Sequence, residues 1–401
     1  MNIFKHKKNL RERRLLAYIW SRRGQAVRSD IISHLRLSRA TVIAAVDRLL
    51  CDGVILEQNS TQTKKGRRPK SLMINGEQCF AIGISIIKGE AQISVVNGGL
   101  GIVGTRRVVD LPLEGARQLC VLLEHVQRFM AEHNLERSKL VGLGVSMPGM
   151  IDHNTGIVRR SACFTDGDQA PIIPFWMKHL EAPCRILGCT DAMTLAEKEW
   201  GAAAKMDSFL YFDGAGVGMF LNGRLYMGSQ NYGGEIGFMK IADAPVGELD
   251  GRYGTLKMLT RLRDLRRRAE EAIAQGVSSV LADWLKEGRA FTRDLIAEAA
   301  CQGDVLGRAL VEDLFDVYAD MIVNLNYLFN PEAIFLWPWT AKCPDITLEL
   351  VRRRIALCKL VNPDMHTEVL PAKNGQNELA QGMATFMLNS FFEEKPASIN
   401  K

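Results

Sequence analysis

Five cations fall in one short stretch of the N-terminal part of the chain: Lys64, Lys65, Arg67, Arg68 and Lys70, set around Gly66 and Pro69. An extended basic loop of this kind can follow a phosphate backbone or enter a narrow minor groove. Upstream, Ser38, Arg39 and Thr41 open a helical pattern that runs on through Ala44 and Ala45. Polar groups and a guanidinium at the start of a helix suit base edges in a major groove, and alanines are small enough to touch thymine methyls. Each residue taken singly also fits an ordinary solvated helix. The combination points to double-stranded DNA.

Reading of this kind needs a rigid mount. Leu15, Leu16, Ile19 and Trp20 give residues 10–23 an amphipathic helix with arginines on the other face. Next, VRSDIISHLRL predicts a short helix with Ser29 as its N-cap, buried through Ile31, Ile32 and Leu35. A step at RLS leads to SRATVIAAVDRLLCDG, where Ser38 is the expected cap and Val42, Val46, Leu49 and Leu50 the apolar face. Gly53 sits where a helix should stop. VILEQ and LMIN then flank a polar tip, NSTQTKKGRRPKS, as a β-ribbon would. Two short helices, a tight turn and a basic ribbon read as a winged helix-turn-helix over residues 1–75.

Charge supports the division. Residues 1–70 hold 17 Lys and Arg against 5 Asp and Glu, a net +12, while the whole chain of 401 residues carries only +6. A basic head on an acidic body is the electrostatic footprint of a polyanion binder. No run of 18 apolar residues offers a membrane span. The basic N-terminal stretch lacks a small-residue cleavage site, so no secretory leader is expected. Nine scattered cysteines without CxxC spacing suit reduced thiols, and a cytoplasmic, membrane-free protein is the expectation.

From Cys79 onward strand pairs, glycine turns and helices alternate, which predicts an α/β body, most simply two lobes around a cleft. One strand of it is unusual. In NPEAIFLWPWT, Ala333 to Leu336 is a short apolar run that opens into Trp337-Pro338-Trp339. A strand that feeds a nucleotide site opens into glycines, because only bare backbone lets phosphate approach. Two indoles and a proline do the opposite.

The segments LGVSMPGMIDHNTGIV, TDAMTLAEKEWGAA, NGRLYMGSQNYGGEIGFM and NPEAIFL, in that order, resemble the ROK family of repressors and sugar kinases. The wing sequence GRRP resembles that of its repressor branch. The resemblance covers essentially the whole chain. It implies a winged helix followed by a two-lobed ribonuclease-H-like (actin-like) body with a sugar-binding cleft, usually in a homodimer or tetramer. On that reading residues 76–197 form the first lobe, 198–373 the second, and 374–395 a helix returning to the first.

Departures from the family pattern fall on its chemistry. The kinases' Asp-x-Gly-Gly-Thr loop aligns by eye with Gly83-Ile84-Ser85-Ile86-Ile87, without the acid or the hydroxyl. Asp213 to Gly218 keeps three glycines of the second phosphate loop, one or two residues short and followed by Met219 and Phe220. The Trp-Pro-Trp stretch replaces the third. At the family's zinc site Phe238 stands for the His, and Glu248, Asp250 and Thr255 for the cysteines, so no metal is expected. Lys257 replaces a sugar-contacting Glu, and Thr190 an Asn. What survives is Asp191, which matches the kinase base, Glu235, which matches a sugar-contacting acid, and Pro148-Gly149 of the pocket-floor loop. Asp191 equally suits a helix N-cap. The expected function is therefore a transcriptional regulator, most simply a repressor, that binds a palindromic operator and senses a sugar or sugar derivative, with no cofactor. The rivals are an active sugar kinase with a DNA-binding head and a ligand-independent dimeric regulator or scaffold.

Overall fold

Asn9 is extended and accepts the amides of Arg11 and Glu12, so a helix must start beyond it. In the computed structural model, which describes residues 3–59, 70–165, 169–241, 255–375 and 378–393, that helix is α2 (Leu10–Ser21), preceded by a short α1 (Ile3–Lys8). It buries Leu15, Leu16, Ile19 and Trp20, the predicted stripe. Strand β1 (Ala26–Val27) passes directly into α3 (Arg28–Leu35). Ser29 is thus inside the first turn, its hydroxyl on Asp30, and Val27 rather than Ser29 occupies the cap position. The two-residue β1 was invisible to periodicity, and its pairing with Ser71 and Leu72 carries the chain into the helix early.

Arg36, left-handed at φ 52°, turns the chain into α4 (Arg39–Cys51), whose cap is Ser38. At the far end Gly53 adopts φ 66°, and the amides of Gly53 and Val54 bond to the carbonyls of Leu50 and Leu49. That is a Schellman stop, which needs a left-handed residue and so favours glycine. Strands β2 (Ile55–Asn59) and β3 (Lys70–Ile74) complete a sheet of order β1-β3-β2. The head is a winged helix-turn-helix.

Beyond it lie β4 (Phe80–Ile87), β5 (Glu90–Asn97), β6 (Ile102–Val108), α5 (Gly115–Glu132), β7 (Leu140–Ser146), β8 (Met150–Asp152), β9 (Ile157–Arg160), β10 (Ala170–Pro171), α6 (Ile172–Leu180), β11 (Cys184–Leu187) and α7 (Cys189–Trp200). The main sheet has order β11-β7-β4-β5-β6, an antiparallel meander β4-β5-β6 continued by β7 and β11 parallel to β4. A small sheet β10-β9-β8 lies beside it in sequence.

The pattern repeats. Strands β12 (Phe209–Phe212), β13 (Val217–Leu221) and β14 (Arg224–Tyr226) are followed by α8 (Leu256–Leu259), α9 (Leu262–Ala274), α10 (Val280–Lys286), α11 (Arg293–Cys301) and α12 (Val305–Phe329). Then come β15 (Ala333–Leu336), α13 (Pro344–Leu357) and β16 (Glu368–Pro371). Their sheet, β14-β13-β12-β15-β16, has the same order and the same directions as the first. Two copies of this topology make a duplicated ribonuclease-H-like body, as expected. The chain separates into two compact units, Met1–Ala192 with Asn377–Lys401, and Met193–Gln376.

The last helix, α14 (Leu379–Phe392), belongs to the first unit and packs on β4 and β7. Even-numbered residues of β4 (Phe80, Ile82, Ile84, Ile86) enter the core with Leu119, Leu122 and Val126 of α5. The other face meets α14 across glycines. A Cβ on Gly83 would stand 1.7 Å from the carbonyl oxygen of Ala380, and one on Gly144 would stand 2.7 Å from that of Met383. Among the described residues no helix is long and apolar enough to cross a membrane.

Candidate nucleic-acid interface and ligand-binding loops

Helix α4 turns Val42, Val46 and Leu49 into the head's core. At about 100° per residue the opposite direction carries Ala40, Ala44, Asp47 and Cys51. Of the expected base readers, Ser38, Arg39 and Ala44 are exposed, whereas Thr41 and Ala45 are half-buried. Ser38 and Thr41 are engaged with each other: Ser38 Oγ accepts the Thr41 amide at 3.1 Å and meets Thr41 Oγ1 at 2.7 Å. Their hydroxyls hold the helix start, which leaves Arg39 and Ala44 as the exposed candidates without that task. Lys64, Lys65, Arg67 and Arg68 of the wing lie outside the described residues.

Residue-type reasoning passed over Asp47 and Arg28. Arg28 Nη2 lies 3.0 Å from Asp47 Oδ1 and 3.0 Å from Glu57 Oε1, and Glu57 is bridged to Lys70 at 2.9 Å. The signal was available in the helix period, since Asp47 follows Ala44 by three. Beneath α4, the buried carboxylate of Glu12 accepts from Arg48 at 2.9 Å and lies 2.8 Å from His6 Nδ1, tying α1, α2 and α4 together.

Pro148 and Gly149 leave the end of β7, and Thr190 and Asp191 follow the end of β11. These strands are parallel neighbours with Ser146 opposite Leu187, and the Met147 amide donates to the Leu187 carbonyl at 3.3 Å. Both loops therefore emerge at the same carboxyl edge, where open α/β sheets bind ligands. Gly149 has φ 147°, and a Cβ there would come within 2.4 Å of the Arg160 carbonyl oxygen. Ser161 Oγ donates to the Pro148 carbonyl at 2.5 Å and so braces the turn. Helix α7 begins at Cys189, which puts Thr190 and half-buried Asp191 in its first turn rather than at its cap. A carboxylate there is favoured by the helix dipole and presents acceptors for hydroxyls.

Glu235 is the remaining ligand candidate. It belongs to the second unit, before the short 3-10 turn Ile236–Phe238. Its carboxyl is held above the usual range by partial burial and then by the charge of Asp213, with Lys257 opposing. Lys257 Nζ also stands 5.1 Å from the Phe238 ring. Among the described residues no group of three or more His, Cys, Asp or Glu is arranged to hold a metal. Glu248 and Asp250 lie outside those residues.

The three phosphate elements read from the sequence have these forms. Gly83 is not in a loop at all: it lies in the middle of β4 under α14, and the turn comes later at Lys88-Gly89, with Gly89 at φ 77°. At the end of β12, Asp213 Oδ1 accepts the amides of Ala215 and Gly216 at 2.8 and 2.6 Å, closing a tight turn into β13. After β15 the Trp337 amide donates to the Phe212 carbonyl, and Pro338–Lys342 winds into a 3-10 turn. That turn buries Trp339 edge-on against Phe315, with ring centroids 5.6 Å apart.

A model of the ROK family matches residues 82–390. The xylose repressor of Bacillus subtilis is 24% identical over 89% of this chain and 89% of its own. Among solved structures, a ROK family transcriptional regulator described as a homologue of the Escherichia coli Mlc protein superposes with a TM-score of 0.78 at 18% identity, covering 94% of this chain and 96% of that one. The ROK hexokinase of Thermus thermophilus reaches 0.61 at 21% identity over 76% of this chain and 96% of its own. The regulator matches head and body together.

Proposed function

The chain belongs to the ROK family, and we propose that it is a DNA-binding transcriptional regulator of sugar-related genes whose effector is a sugar or sugar derivative. The observation that carries this reading is the joining, in one chain, of a capped helix-turn-helix to the family body, over a span matched along most of its length by a xylose repressor. Arg39 and Ala44 read bases, and the basic wing with Lys64, Lys65, Arg67 and Arg68 tracks phosphates. A homodimer or tetramer would set two heads on palindromic half-sites. The effector binds at Pro148, Gly149, Thr190 and Asp191, where backbone and carboxylate meet sugar hydroxyls.

Binding rather than phosphoryl transfer is the role of this body. Phosphoryl transfer depends on positioned donors around the γ-phosphate. Here the amides of Ala215 and Gly216 are already taken by Asp213, and Trp339 fills space beside β15. Genome-wide capture of DNA on the tagged protein is the test. A few recurrent palindromic sites beside sugar-transport or sugar-metabolism genes, lost in an Arg39→Ala/Arg68→Ala variant, are expected. Diffuse, salt-sensitive binding would overturn the sequence-specific reading. Melting against a sugar panel tests the effector, since a ligand at a hundred times its Kd adds about 2.7 kcal/mol. ATP consumption with the sugar so found would restore the kinase.

A further inference from the structure

Helix α4 carries one acidic residue, Asp47, and places it on the outward stripe with Ala40 and Ala44. A lone carboxylate is a costly choice for a surface that approaches phosphates, because every backbone contact repels it. Nor is it loosely solvated. Arg28, from the first turn of α3, holds Asp47 Oδ1 at 3.0 Å, and Glu57 of β2 shares the same guanidinium nitrogen. The Asp47 side chain nevertheless remains 56% exposed. Among the described residues its second oxygen has no hydrogen-bond partner, whereas Oδ1 is fixed. The neighbours on the stripe are alanines, which cannot compete for a polar base edge.

We propose that Asp47, oriented by Arg28, is a specificity-determining residue that reads cytosine in the major groove through its free oxygen. The chemistry is selective. The cytosine N4 amino group donates to a carboxylate, while guanine O6 and N7 and thymine O4 are acceptors that it repels, and adenine sets the repelled N7 acceptor beside its N6 donor. Arg28 acts through Asp47 as a positioning residue. The inference rests on the head reading DNA.

Selection of bound sites from a randomised duplex pool, with the full-length protein, tests it. The wild type is expected to show one position in each half-site fixed as cytosine. Asp47→Ala is expected to lose that preference, on the order of tenfold, with binding to unrelated duplex equal or tighter. Asp47→Asn, nearly the same shape, should switch the position to adenine, which an amide side chain recognises at N6 and N7. Uniformly weaker binding with every position's preference intact would show Asp47 to be a structural partner of Arg28 and overturn the proposal. If the wild type selects no recurrent site, the DNA-reading role falls as well.

Discussion

Gly83 shows how one missing methyl group decides a packing arrangement. Its neighbours in β4 are buried on both faces, and the atom that an added Cβ would strike is a backbone oxygen of α14, with no side chain to swing aside. Gly83→Ala should therefore destabilise the protein by about 3 kcal/mol or more, at the upper end of overpacking costs. Urea unfolding with an unchanged m-value would measure it. Gly89→Ala makes no contact within 4 Å and should cost only about 1 kcal/mol, from its positive φ. The sequence displayed this glycine but not its purpose. A strand covered on both sides reads as one apolar run, and the helix that demands the glycine arrives nearly 300 residues later. Aligning it with a phosphate loop was the natural error. Lys7 makes a second case at this scale. Among the described residues its ammonium has no hydrogen-bond partner, and it lies 5.1 Å from the Phe391 ring. Burial, reinforced by Arg13, lowers its pKa from 10.5 to about 8, while Cys79 and Glu393 oppose. Between about pH 8 and 10.5 the unfolded chain thus holds more protons than the folded one, and stability rises with pH across that window. Lys7→Met should remove this rise and add about 1 kcal/mol at pH 7. Melts at pH 7 and 9.5 decide it, and an unaltered pH dependence would refute the assignment.

At the scale of elements, α14 is the mount of the head. Its far end stacks Phe392 on Trp20 of α2, centroids 4.3 Å apart, and Asn389 Oδ1 accepts from both Trp20 Nε1 and Arg23 Nη2 at 2.9 Å. Phe391 meets Phe4 of α1 at 5.1 Å. The same helix is seated on β4 and β7 through Gly83 and Gly144, so the head rests on the sheet that carries the Pro148 and Asp191 loops. Asn389→Ala removes an acceptor shared by a neutral and a charged donor, and about 1–3 kcal/mol should be lost. Hydrogen exchange should then speed up in α1 and α2 while β5 keeps its protection; equal loss everywhere would deny α14 this local role. The helix itself was legible, through family resemblance, as a segment returning to the first lobe. Its aromatic joint was not, because Trp20 read as an ordinary core residue of α2. Hydrophobic periodicity identifies a buried face without identifying the partner. The α4 helix was read better: cap and stop stand where propensity put them, and Val42, Val46 and Leu49 of the core face are buried with Leu50 half-buried, because each is set within a few residues.

For the whole molecule, the division of charge was the most legible property, since it needs only counting. Long-range partnership was the least: Asp191 and Glu235 read as contacts of one cleft between two lobes, and they do stand in different units, but no local pattern fixes how residues more than forty positions apart meet. The first property sets a measurable expectation. If the head neutralises phosphates, log K for DNA must fall linearly with log salt, by about 0.9 for each phosphate contact. Arg39→Ala should lower affinity, and its effect on the slope separates two roles. A slope reduced by about 1 assigns the guanidinium to a phosphate, whereas an unchanged slope with one altered base preference assigns it to a base edge. The effector adds a thermodynamic constraint that no choice of residues can evade. A sugar that weakens operator binding by some factor must itself bind the operator complex more weakly by that same factor. Titrating the sugar into free and DNA-bound protein, beside DNA titrations with and without sugar, closes the cycle. Asp191→Asn should weaken the sugar in both arms while leaving sugar-free operator affinity unchanged. Sugar binding that persists in this variant would move the effector away from the edge of β7 and β11, even if the regulator itself stood.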